Sequence, residues 1–163
     1  MNSECYSQQL GTDNFQYSIL NSQLVECVPN FSEGRDIETI NAIADTIRSV
    51  DGVRVLHIDR GEAANRTVIT FVGPAGAVVE AAFRMVRCAS ERIDMRTHQG
   101  EHPRIGATDV LPLIPLKNIT LEECAALARR LAERIYEELG ISTYCYEAAA
   151  YKDKWRNLAV CRA

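Results

Sequence analysis

The sequence predicts an α+β fold, a mixed or antiparallel sheet with helices packed on one face. Three observations carry that reading. Three stretches repeat their apolar residues at intervals of three and four, the period of a helix, and short β-rich runs separate them. Two of those runs are joined by a connection short enough for a hairpin. The resulting order, βαββαβαβ with the hairpin in the middle, is related to the ferredoxin-like split βαβ unit.

Taken in order, the run 24–28 is apolar and is closed by Pro29-Asn30, which suits a buried strand blocked by the proline. After the turn F-S-E-G-R-D, either Ser32 or Asp36 caps a helix whose Ile37, Ile40, Ile43, Ala44, Ile47 and Val50 share a face. Asp51-Gly52 ends it. The segment 53–60 is rich in β-formers, yet its alternation fits neither face; a strand is still predicted. A turn over 61–65 leads to R-T-V-I-T-F-V at 66–72, the densest β-branched run. Gly73-Pro74 opens a second helix with Val78, Val79, Ala82, Met85, Val86, Ala89 and Ile93 on its inner stripe. Val110, Leu111, Leu113 and Ile114 predict a strand that Pro112 and Pro115 confine to a sheet edge or a bulge. Thr120 and Glu123 spell the capping box of a third helix, and Gly140 stops it. The residues 141–146 predict a last strand, and 151–163 is polar and weakly patterned.

At 163 residues the chain has the length of one domain. Its 18 basic and 22 acidic residues, net −4, are spread along the chain, whereas a nucleic-acid footprint needs clustered Lys and Arg. No run approaches the length of a membrane helix. The first 23 residues hold no Lys or Arg, so they lack a signal peptide's positive start, and their Ser/Gln/Asn-rich composition predicts a flexible arm. The six cysteines are widely spaced without a CxxC pair, and four lie in apolar patterns. Reduced, buried thiols and a cytoplasmic location are the expectation.

The stretch 94–115, D-M-R-T-H-Q-G-E-H-P-R-I-G-A-T-D-V-L-P-L-I-P, is the candidate site, because so polar a connection has little to offer a core. His98 to His102 spells H-x-x-E-H, a zinc motif that requires a helix to bring both histidines to one face. Gly100 inside it and Pro103 after it oppose a helix, and no third ligand stands at a suitable offset, so no metal is expected. Acid/base chemistry is the other reading: an imidazole titrates near neutrality, Glu101 or Asp59 is able to fix its tautomer, and Arg96 with Arg104 is able to hold a carboxylate. The same residues also suit a loop that is merely solvated. His57, inside a strand, reads as structural, and the polar turn at 30–34 has backbone N–H groups to offer an anion.

Three blocks together, L-V-E-C-V-P-N-F-S-E-G-R at 24–35, N-R-T-V-I-T-F-V-G at 65–73 and I-D-M-R-T-H-Q-G-E-H-P-R-I-G-A-T-D-V at 93–110, closely resemble the N-terminal half of glutamate formimidoyltransferase domains. The resemblance covers 24 to about 150, leaving 1–23 as an arm and 151–163 as a tail. It implies transfer of a formimidoyl group between N-formimidoyl-L-glutamate and N5 of tetrahydrofolate, a step of histidine degradation, with tetrahydrofolate as co-substrate and without a metal. It maps the catalytic histidine onto His102 and its helper onto Asp59. Arg104, Arg66, Glu101 and Asn30 become the candidates for substrate binding. Such domains hold folate between two similar halves, and this chain carries the pattern of one. The resemblance therefore leaves open a subdomain that only binds folate or a partner, and a homodimer in which a second copy provides the other wall.

Overall fold

The computed structural model describes residues 21–101 and 104–162. Strands β1 (Leu24–Cys27) and β2 (Asn30–Phe31) are one strand interrupted at Pro29, for both pair with β4 (Arg66–Pro74) in a single continuous register, Leu24 opposite Pro74 through Phe31 opposite Thr67. A proline has no N–H to give a ladder, so the break falls there. The other side of the same strand pairs with β5 (Thr108–Val110) and β6 (Leu113–Lys117), again one edge strand divided by Pro112. Strand β3 (Arg54–Gly61) pairs with the far side of β4. Every pairing is antiparallel, and the spatial order β3, β4, β1/β2, β6/β5 is that of the split βαβ arrangement.

Helix α1 (Ile37–Arg48) is capped by Asp36, whose Oδ1 accepts the amides of Glu38 and Thr39 at 3.0 and 3.3 Å. Ser32, the other candidate cap, is committed elsewhere: its hydroxyl donates to the Gly106 carbonyl at 2.8 Å. Gly52, at φ 83°, takes the left-handed turn that follows the helix. Helix α2 (Ala75–Arg92) starts directly from Pro74 at the end of β4. Helix α3 (Leu121–Leu139) has the full Thr120–Glu123 capping box and ends at Gly140, φ 68°.

Alternation in β4 buries Thr67, Ile69, Phe71 and Gly73, and the paired Val25 and Cys27 lie on the same side. Against them pack Ile40, Ile43 and Ile47 of α1 and Val78, Phe83 and Met85 of α2, which form the core. The ambiguous pattern of β3 has a physical origin. A register shift between Val55 and His57 makes Leu56 an extra residue, so Val55 and Ile58, three apart, both pack against the core. No helix among the described residues is long and apolar enough to cross a membrane. The five described cysteines are free thiols, three of them buried; Cys5 and the rest of the expected arm through residue 20 lie outside the described residues.

The last predicted strand is a correction: residues 141–146 pair with no strand among those described. The β5/β6 edge, broken by Pro112 and Pro115, offers a discontinuous ladder. Arg129 of α3 instead fastens the segment's continuation, with Nε 3.1 Å from the Ala149 carbonyl and Nη2 3.0 Å from that of Ala148. The tail is also ordered, as a 3-10 turn (Asp153–Arg156) and a short helix α4 (Leu158–Cys161). Arg162 closes it onto Asp109, whose side chain is almost wholly buried.

Candidate functional site

The sheet has a covered face and an open one. Residues directly opposite in an antiparallel ladder project to the same side, so the registers place Asp59, Val68, Asn30 and Val110 in one row across the open face. Neighbouring strands are about 4.8 Å apart, which puts the Asp59 and Asn30 backbones roughly 10 Å apart with Val68 as the floor between them. Asp59 is exposed. His57 lies in the next row opposite Thr70, and Arg66 opposite Gly61 at the hairpin end. The imidazole of His57, expected to be structural, is exposed on this open face.

The 94–104 loop is anchored at that same hairpin end. Asn65 is 7% exposed, at φ 47°, in the turn between β3 and β4. Its Oδ1 accepts the Gly34 amide at 2.8 Å and its Nδ2 donates to the Gln99 carbonyl at 2.9 Å. Arg104 comes back to the same turn: Nη2 donates to the Ala64 carbonyl at 2.8 Å and Nη1 to that of Asn65 at 3.4 Å. Close approach requires the glycines here. A Cβ on Gly34 would stand 2.4 Å from the Gly61 carbonyl oxygen, and one on Gly100 would stand 2.4 Å from Nη2 of Arg104 and 2.6 Å from the Ala64 oxygen.

His98 is half-buried, with Nη1 of Arg104 lying 2.7 Å from its Nδ1 and 3.0 Å from its Nε2. Burial, and after it the charge of Arg104, push the imidazole below its usual pKa, while a bond to the Asn65 backbone pulls the other way. A ring nitrogen that faces a guanidinium must accept, so His98 is the neutral form and part of the anchor. Arg96 is separate from this group. It folds back on Asp94, with Nε 2.8 Å from Oδ1 and Nη2 2.8 Å from Oδ2, and that contact holds the Asp94 carboxyl down at about 2. The two arginines are thus engaged apart, one by a carboxylate and one by the hairpin turn. Glu101 is exposed. His102, the residue to which the resemblance gives the reaction, and Pro103 lie outside the described residues.

Asn65 and the His98–Arg104 contact are the site features that sequence reading passed over, and the Gly34 amide, expected among the N–H groups offered to an anion, donates instead to Asn65 Oδ1. The only signal for them was a turn-forming residue at each of positions 34, 65 and 100. Among the described residues no group of three or more His, Cys, Asp or Glu side chains is placed to hold a metal ion. A largely apolar cavity of about 470 Å³ lies elsewhere, between α2, α3, the β5/β6 edge and residues 141–149. None of Asp59, Asn65, His98 and Arg104 lines it.

Fold and site define an α+β subdomain with helices on one sheet face, an open face of mixed polar and apolar residues on the other, and a histidine loop moored to one end of that face. Residues 24–163 match the formiminotransferase domain, N-terminal subdomain, and the chain belongs to that family. The match runs past residue 150, so the tail set apart by its weak pattern lies within the family's span. The chain is 50% identical over 139 residues to a glutamate formimidoyltransferase of Thermoplasma acidophilum, covering 85% of this chain and 46% of that protein. It is 46% identical over 141 residues to the glutamate formimidoyltransferase of Streptococcus pyogenes serotype M1, covering 86% and 47%. To the formimidoyltransferase-cyclodeaminase of Rattus norvegicus it is 48% identical over 142 residues, covering 87% and 26%. The chain thus spans half the length of these relatives, or less.

Proposed function

We propose that the chain forms one wall of a glutamate formimidoyltransferase site that moves a formimidoyl group between N-formimidoyl-L-glutamate and N5 of tetrahydrofolate, in cytoplasmic histidine degradation. The observation that carries this reading is the mooring of the G-E-H-P-R loop, on both sides of residue 102, to the hairpin whose open face bears Asp59. The names of the relatives support the reaction class.

In the forward direction N5 attacks the amidine carbon, and a bond forms as N5 gives up its proton. The tetrahedral adduct collapses when the carbon–nitrogen bond to glutamate breaks and that nitrogen gains a proton. One imidazole, that of His102, takes the first proton and returns it to the leaving nitrogen. Asp59 stabilises the imidazolium between the two transfers. Arg66 is the better cation for a substrate carboxylate, because the Arg104 guanidinium is already bound to the hairpin turn; among the described residues no ion pair involves Arg66. Asn30, beside the floor residue Val68, offers a polar contact, and Glu101 a second acceptor at the loop.

Transfer from N-formimidoyl-L-glutamate to tetrahydrofolate, followed with the purified chain, tests the assignment. His102→Ala is expected to remove turnover, and wild-type turnover by that variant would defeat it. The alternative reading is a subdomain that binds folate or a partner without turnover. Saturable tetrahydrofolate binding without transfer would select that reading. A second copy as the opposite wall would appear as activity that rises with dimerisation.

A further inference from the structure

We infer that the cavity between α2, α3, the β5/β6 edge and residues 141–149 is a second binding site, for a compact, uncharged aromatic molecule that carries one hydrogen-bonding group. At about 470 Å³ it falls within the roughly 300–1,000 Å³ of ordinary small-molecule sites. Leu111, Leu113, Leu131, Ile135 and Ile141 contribute to its largely apolar walls. Thr108 of β5 also lines it, and the Thr108 Oγ1 is buried with no hydrogen-bond partner among the described residues. A hydroxyl taken out of water without a partner is costly, so a guest that pairs with it is held in preference to bare hydrocarbon. That orphaned oxygen separates this space from a mere packing gap.

Charge and shape follow from the same walls. The Asp109 side chain, 2% exposed, is already engaged: Oδ1 accepts the Ile105 amide at 3.2 Å and Oδ2 meets the Arg162 guanidinium. The pair cancels its own charge, and Glu147, the other acid lining the cavity, is exposed to water. An ion that entered would lose its hydration against apolar walls without gaining a free counter-charge. A rigid ring is favoured over a flexible chain because it gives up no internal rotation on entering. The site shares no residue with the row on the open face that holds Asp59 and Asn30 except Val110, so the inference is independent of the reaction assigned there.

Indole and indene provide the test, being nearly identical in shape with and without an N–H. Calorimetric titration of the full chain is expected to show one indole bound with Kd below about 1 mM, a modest affinity for so small a molecule. Thr108→Val keeps the shape and removes the acceptor, and is expected to weaken indole about three- to tenfold while leaving indene within about twofold. Because the hydroxyl has no partner, the same variant is expected to hold the urea midpoint at or above that of the parent. Ala128→Phe places a ring in the cavity from α3 and is expected to weaken both ligands at least about tenfold; should it fail to fold, Thr108→Val decides alone. No indole binding at about 1 mM would overturn the inference, as would equal losses of indole and indene in Thr108→Val. A lowered midpoint in that variant would show the hydroxyl already paired with water, and self-association abolished by Ala128→Phe would give the cavity to a second copy; either result also overturns it.

Discussion

Replacing Gly34 by alanine tests the joint on which both the hairpin and the loop depend. The added Cβ meets the Gly61 oxygen at 2.4 Å, the Arg66 nitrogen at 2.6 Å and the Asn65 carbonyl carbon at 3.0 Å, all backbone atoms. Unbonded carbon and oxygen approach to roughly 3.3 Å, so the first contact is short by about 0.9 Å and no side chain is available to swing aside. Overpacking of this kind costs about 1–3 kcal/mol. Moving the 32–35 turn away lengthens the buried 2.8 Å bond from the Gly34 amide to Asn65 Oδ1, and a buried polar group left without its partner costs about 1–3 kcal/mol more. The sum, roughly 2–6 kcal/mol, is a large part of the stability of a small domain.

Urea unfolding reads this directly. With a slope of roughly 2 kcal/mol per molar, the midpoint is expected to fall by about 1–3 M at unchanged slope. Gly76→Ala is the matched control: nothing stands within 4 Å of its Cβ, and it occupies the first turn of α2. That variant is expected to gain about 0.5 kcal/mol from helix propensity. If Gly34→Ala leaves the midpoint within about 0.2 M of the parent, the close approach of the 32–35 turn to the hairpin is wrong.

Thr120→Ala removes the hydroxyl that accepts the Glu123 amide at 3.2 Å and is expected to destabilise the chain by about 1 kcal/mol in the same urea assay, with Thr120→Ser restoring it. His98 makes stability depend on pH with a definite sign. Its folded pKa is depressed, so below its ordinary 6.5 the unfolded ring binds a proton that the folded ring refuses, and stability present above 6.5 is lost as pH falls toward the folded value. His98→Gln is expected to flatten the urea midpoint between about pH 7.5 and 5.5, and a slope as steep as the parent's would contradict the neutral, anchored imidazole.

What the sequence made legible was governed by local physics. Asp36, the Thr120–Glu123 box and Gly140 act within a turn of their own helices, and Pro29 and Pro112 interrupt strands by lacking a donor, so their effects stand in the order of residues. The bulge at Leu56 showed only as a failed alternation, because an extra residue shifts the phase without changing the composition. Residues 141–146 have strand-forming content, yet they pair with no described strand, and Arg129 holds the carbonyls of Ala148 and Ala149 that follow them.

The site was legible to the extent that its groups share a segment. Two histidines, a glutamate and two arginines within nine positions announced the loop, but not which of them the fold itself consumes. His98 and Arg104 lie six apart in sequence and meet only because the hairpin turn, some forty residues earlier, offers carbonyl oxygens that a guanidinium must fill. That demand selects between chemically equivalent candidates. The arginine drawn to the turn already gives N–H groups to two carbonyl oxygens there, and a nitrogen of the imidazole pressed against it serves as an acceptor. In the reaction proposed above, proton transfer in this loop falls to His102 and recruitment of the substrate carboxylate to Arg66, which is set where β4 begins on the open face.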